Sequence, residues 1–162
     1  MIEPLSPQDI GIALQQKGLR PYVKDLNTYG IYNEGEEYEV FTERLPEVHF
    51  RKLVPTQTYE FQENPWILAC AMNRVNALDS PVRVWADGAK VTFTLCAEPA
   101  SFADFQAGLQ RWLACLEQAA DQLGQACEVL LREDGQHDLE AVTEQLCNPS
   151  QDSPWLQGQK LS

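Results

Sequence analysis

Asn73, Arg74 and Asn76 follow directly on the apolar run Trp66-Ile67-Leu68-Ala69-Cys70-Ala71-Met72, where polar side chains must find partners as the fold closes. An amide donates and accepts hydrogen bonds but neither gives up nor takes a proton near neutral pH, so the asparagines cannot serve as acid, base or nucleophile. One helical turn apart, they can bond a strand's backbone or their own helix flanks and fix the helix against a sheet. With Arg74 they could instead hold a small ligand. The structural role is the expected one.

The more reactive groups form no recognisable constellation. His49 stands between Glu47 and Arg51 on one face of a strand pattern, and His137 lies in an acidic stretch; neither has a Cys or Asp at ligand spacing, so no metal site is predicted. A Gly-x-Ser-x-Gly elbow and both phosphate-binding glycine patterns are missing, and no cysteine has an evident base beside it. No catalytic, cofactor-binding or metal-binding residue is assigned, and a non-enzyme is expected. The five cysteines, Cys70, Cys96, Cys115, Cys127 and Cys147, are odd in number and lack a C-x-x-C pair, and several fall where small apolar residues belong. That usage fits a reducing compartment.

Twenty-four acids against twelve bases give a net charge of -12, which repels phosphate backbones and anionic lipid headgroups unless a basic patch is set apart. No such patch is visible, so nucleic acid and membrane are discounted as partners. The acids gather between Glu34 and Glu47 and again between Asp121 and Glu144. Solvated faces explain both clusters, and a dock for a basic partner is the sharper alternative. The amino terminus lacks the basic start and apolar stretch of a secretory signal, and the longest apolar run is far short of a membrane span, so a cytoplasmic location is expected.

The elements that must position these groups can be read from periodicity. Ser6, Pro7 and Asp9 open a short helix through Ile10, Ala13 and Leu14, which Gly18 can end. From Thr28 to Leu53 the apolar period is two, broken at Asn33-Glu34-Gly35 and Leu45-Pro46, which predicts a three-stranded antiparallel meander. Glu37, Glu39, Glu43 and the pair Arg51 and Lys52 mark its wet face, and Phe41, which falls among them, is expected at a sheet edge. Asn64-Pro65 starts a second helix that runs to Leu78. Val82 to Ala86 and Ala89 to Leu95 form a hairpin about the dipeptide Asp87-Gly88, expected as a type I′ turn. Ser101 and Asp104 begin a long helix whose stripe from Phe102 to Leu130 steps alternately three and four residues, with Gly108 and Gly124 implying close packing or a break. A short helical pattern through Leu139, Val142 and Leu146 follows. Residues 1–147 thus make one domain, with its core at about 6–131, and 148–162 a polar tail whose bulky apolar pair is Trp155 and Leu156. These two are the candidate partner contact, or a lid folded back on the domain.

The run Ala69-Cys70-Ala71-Met72-Asn73-Arg74-Val75-Asn76 is similar to the Asn-x-x-Asn of the YbjN family. With the strand from Val82 to Ala86 and the aromatic helix start at Phe102 and Phe105, the chain over about 6–125 resembles that family, whose fold is like that of the type III secretion chaperones. The resemblance implies an α+β domain of order α-β-β-β-α-β-β-α with helices on an antiparallel sheet of about five strands, frequently dimeric, with a regulatory or sensory label and no catalytic residues.

Residue chemistry and resemblance together favour a non-catalytic protein-binding or regulatory module, a homodimer or the holder of another protein through a sheet edge or the spare flank of its long helix. The motive is the width of that helix's apolar stripe, which Leu113 and Leu131 broaden. The rival is a small-ligand sensor or enzyme with its site between the middle helix and the sheet near Asn73, Arg74 and Asn76.

Overall fold

The computed structural model describes residues 5–59 and 65–136. It is an α+β domain with three helices and one six-stranded antiparallel sheet of order β1-β2-β3-β4-β6-β5. The strands are β1 Tyr22–Asp25, β2 Thr28–Asn33, β3 Glu36–Phe41, β4 Val48–Pro55, β5 Arg83–Asp87 and β6 Lys90–Ala97. The helices are α1 Pro7–Gln16, α2 Pro65–Asn76 and α3 Phe102–Gln136, with a 3-10 turn at Thr56–Tyr59. No helix among the described residues is long and apolar enough to cross a membrane.

The local signals act as their chemistry dictates. Ser6 Oγ accepts from the Asp9 backbone N–H at 3.2 Å and the Asp9 carboxylate accepts from the Ser6 N–H at 3.0 Å, a reciprocal cap for α1. Beyond α1, Gly18 takes a φ of 78°. Between β2 and β3, Glu34 and Gly35 both have positive φ, as a type I′ turn requires. The second hairpin is shifted by one residue from its expected form. Asp87 pairs with Lys90, so the loop is Gly88-Ala89; only Gly88 has positive φ, which is the type II′ pattern and places Asp87 in the strand.

The sixth strand is β1. Its four residues are all exposed and show no alternation, so periodicity could not reveal it. It pairs only with β2, through a bulge between Val23 and Asp25.

Alternation along β4 sorts the core. Val48 and Phe50 are fully buried on the helix side, joined by Ile31, Tyr38, Val40, Phe93 and Leu95 from neighbouring strands. α3 supplies Phe105, Leu109, Leu113, Leu116 and Leu123, all at 0 % exposure, and each such side chain is worth about 1.5–3 kcal/mol when fully buried. Leu113 is therefore consumed by the core, and Leu131 packs against it, because α3 must meet the sheet, α1 and α2 at once. The broad stripe leaves no spare flank in that region. α3 runs unbroken through Gly124. Gly108 lies beneath the Trp112 ring, where a Cβ would stand 2.4 Å from Cζ2, so the close packing inferred from glycine is real at this position.

Candidate functional site

The three polar residues of α2 part company. Asn76 ends the helix and reaches β5, its Nδ2 donating to the Val84 carbonyl at 2.9 Å and its Oδ1 accepting from the Val84 N–H at 2.9 Å. One side chain thereby makes the pair of bonds that a further strand would make to β5. Asn73 is exposed, so it holds no buried partner and the joint role expected for the two amides falls to Asn76. Arg74 lies 3.8 Å from Glu133 Oε1 on α3, both side chains about one-third exposed. Between α2 and the sheet, Ile67, Ala71 and Val75 are at 0 %, 0 % and 2 % exposure. Apolar side chains thus pack the described face of α2 toward the sheet.

On the helix side, Lys52 is a correction to the expected wet face. Strand alternation turns it opposite to Arg51, and it is 2 % exposed beneath α3. Its ammonium donates to Glu36 at 2.6 Å and to Glu117 at 3.3 Å and stands 4.8 Å from the Tyr38 ring, while Tyr38 donates its hydroxyl to Glu117 at 2.7 Å. Burial, then the hydrogen bond to Glu117, holds the Tyr38 phenol well above its ordinary range. An acidic groove of about 440 Å³ opens beside it along α3, with Asp121 and Glu128 on its wall.

The other side of the sheet carries no helix among the described residues. There Phe41, Glu43, Arg44, His49, Arg51, Trp85 and Thr94 line an open groove of about 320 Å³. Phe41 sits on β3 inside the sheet, not at an edge, and the Arg51 guanidinium covers its ring at 4.4 Å while donating to Glu39 at 2.9 Å. Trp85, on the outward side of β5, is 44 % exposed beside this groove.

At the same face, the register of β4 and β6 sets His49 directly opposite Cys96, and alternation sets Glu47 on the same side as His49. His49 Nε2 is 3.1 Å from Glu47 Oε1; Cys96 Sγ is 3.8 Å from each of them. Both neighbours use one ring nitrogen, whereas a nucleophile-base-carboxylate relay needs the two nitrogens on separate partners. Desolvation and the Glu47 carboxylate push the Cys96 thiol up, which depletes the thiolate that nucleophilic attack would need. The cluster is a set of convergent donor atoms. Sequence spacing could not show it, since Cys96 lies 47 positions from His49 and only the strand register joins them.

Both sheet edges are blunted. Asn76 occupies β5 at Val84, and β1 is short, bulged and carries Lys24, whose ammonium is held by Glu39 at 2.8 Å. Trp155, Leu156, His137, Cys147 and the helical pattern through Leu146 lie outside the described residues.

No protein-family model matches the chain, and no curated protein sequence matches it. Solved structures share the fold, and two of them illustrate it. One is YbjN, a candidate transcription regulator from E. coli, at 10% identity and a TM-score of 0.52, over 82% of this chain and 97% of that one. The other is an uncharacterised protein from Methanothermobacter thermautotrophicus at 14% identity and a TM-score of 0.51, over 76% and 97%. The likeness to the YbjN family read from Ala69 to Asn76 thus extends to the fold.

Proposed function

We propose that the protein is a non-catalytic regulatory module that acts by binding protein, and that its first partner is a second copy of itself seated on the open face of the sheet. The observation that carries this reading is a sheet face without a helix among the described residues, whose groove has Trp85 at its rim at 44 % exposure, in a sheet whose two edges are both blunted. An exposed tryptophan flanked by arginine is the kind of group that anchors protein interfaces. The patch also holds both signs of charge, with Arg44 near Glu43 and Glu47, so two copies related by a two-fold axis can set each Arg44 against the other's acids.

Net charge argues for protein over nucleic acid. Lys24, Arg51 and Lys52 are each paired with a glutamate, and acids outnumber bases by twelve along the chain, which disfavours phosphate. Regulation, on this reading, runs through protein contact.

Light scattering at micromolar concentration tests the dimer. Wild-type protein is expected at twice the chain mass, and Trp85→Ser and Arg44→Glu at the chain mass with the folded circular-dichroism spectrum retained and a melting temperature lowered only by the loss of the dimer. A monomeric wild type, or a dimer indifferent to both substitutions, overturns the reading. The groove volume, about 320 Å³, also falls at the low end for small-molecule sites and supports a sensor as the second reading. An aromatic carboxylate that raises the melting temperature of wild type but not of Arg44→Glu would favour it.

A further inference from the structure

We propose that Glu47, His49 and Cys96 form a binding site for a zinc-class divalent cation on the open face of the sheet, with a fourth coordination position left for water or a ligand. The site differs from the docking surface in chemistry and does not depend on dimer formation.

Geometry carries the proposal. With zinc bonds of about 2.0 Å to imidazole and carboxylate and about 2.3 Å to thiolate, tetrahedral ligands stand about 3.3 Å apart for the nitrogen-oxygen pair and about 3.5 Å for pairs that include sulfur. Here the nitrogen-oxygen separation is 3.1 Å and both separations from sulfur are 3.8 Å. Closing those differences needs shifts of a few tenths of an ångström in side chains that are partly exposed and free to turn. His49 and Cys96 face each other one rung from the end of the β4–β6 ladder, where eight register pairs hold the strands together, and Glu47 is the loop residue just before β4. The paired strands therefore hold the backbones of His49 and Cys96 side by side, and only side-chain rotation is needed to bring the donors onto an ion.

Donor type selects the ion. One thiolate, one imidazole and one carboxylate make a set of mixed softness that suits zinc and its neighbours in the first transition row, and it suits magnesium and calcium poorly because only one donor is oxygen. Binding needs the thiol to lose its proton and the imidazole to be neutral, and the ion's charge compensates the carboxylate-thiolate repulsion that otherwise disfavours ionised Cys96. Three protein ligands with an open position is the arrangement of an accessible zinc site; buried structural sites have four. His49 also lines the groove that holds Trp85, so a bound ion would sit at the rim of the proposed docking surface.

The test is titration of the purified full chain with cobalt(II), whose visible spectrum reports ligand type, followed by displacement with zinc. The expected result is saturation at one equivalent with a thiolate-to-cobalt charge-transfer band that zinc abolishes. Cys96→Ser should remove the band, His49→Ala and Glu47→Gln should each weaken binding at least about tenfold, the low end of what even an outer-shell partner costs, and Cys115→Ser should change nothing. Repeating the titration on Trp85→Ser separates the two proposals, since the ion should bind the monomer equally well. Absence of a thiolate band at stoichiometric cobalt, or a band that survives Cys96→Ser and His49→Ala, overturns the site.

Discussion

Arg51 and Lys52 are adjacent cations on one strand, and they live on opposite sides of the sheet under opposite rules. Lys52 is buried beneath α3, fixed by Glu36, Glu117 and the Tyr38 ring, and its removal from water is compensated only by that enclosure. Arg51 lies against Phe41 in an open groove, one-third exposed, with a single carboxylate partner. The covered side spends its chemistry on holding the fold, while the open side has chemistry left over. Function is sought on the open side for that reason.

The largest effects should mark that divide most sharply. Phe50→Ala, which deletes a fully buried ring stacked near Phe105 and Trp112, should cost about 3–5 kcal/mol in urea unfolding, whereas Phe41→Ala across the sheet should cost about 1 kcal/mol or less. Equal costs would mean that the open face is no less structural than the core. Next, Glu117→Leu strands part of Lys52's charge and should lose about 2–4 kcal/mol, while the paired change Lys52→Met with Glu117→Leu should recover most of it. A double variant as unstable as the single would show that the network is worth more than its desolvation.

The covered side should also answer to alkali. Burial raises the Cys127 thiol from 9.0 to about 11. Above the unfolded value the unfolded chain sheds a proton that the folded chain keeps, so stability is full below about 9 and falls by about 1–3 kcal/mol as pH rises to about 11. Cys127→Ala should flatten that slope, and buried Tyr38 and Tyr59, raised by desolvation first, should extend the loss beyond it. The exposed thiol of Cys96 should contribute little by comparison. Finally, Asn76→Ala should lower stability by about 1–3 kcal/mol by leaving Val84's backbone pair unmet, against no more than about 0.5 kcal/mol for Asn73→Ala. If the two asparagines prove equal, the clasp on β5 is not what gives Asn76 its importance.

Much of the fold was legible in the sequence, for reasons that also explain what was not. Helix starts at Ser6 and Ser101 and the hairpin glycines act through neighbours at most a few residues away, so the chain displays them openly. The alternation of Val48, Phe50 and Lys52 was visible too, but charge alone suggested that Lys52 faced water, because its partner Glu117 lies 65 positions distant. The same limit hid the meeting of His49 with Cys96. Reading Asn73 and Asn76 as one motif erred because a helix turn places them side by side without saying which of them faces β5.

α2 packs beside β5 and its terminal amide meets the Val84 N–H and C=O, so the sheet ends there with a side chain standing in for a neighbouring strand's backbone. A helix's last side chain thus closes this position of the edge to pairing with another chain, and its loss would bare a single backbone donor and acceptor.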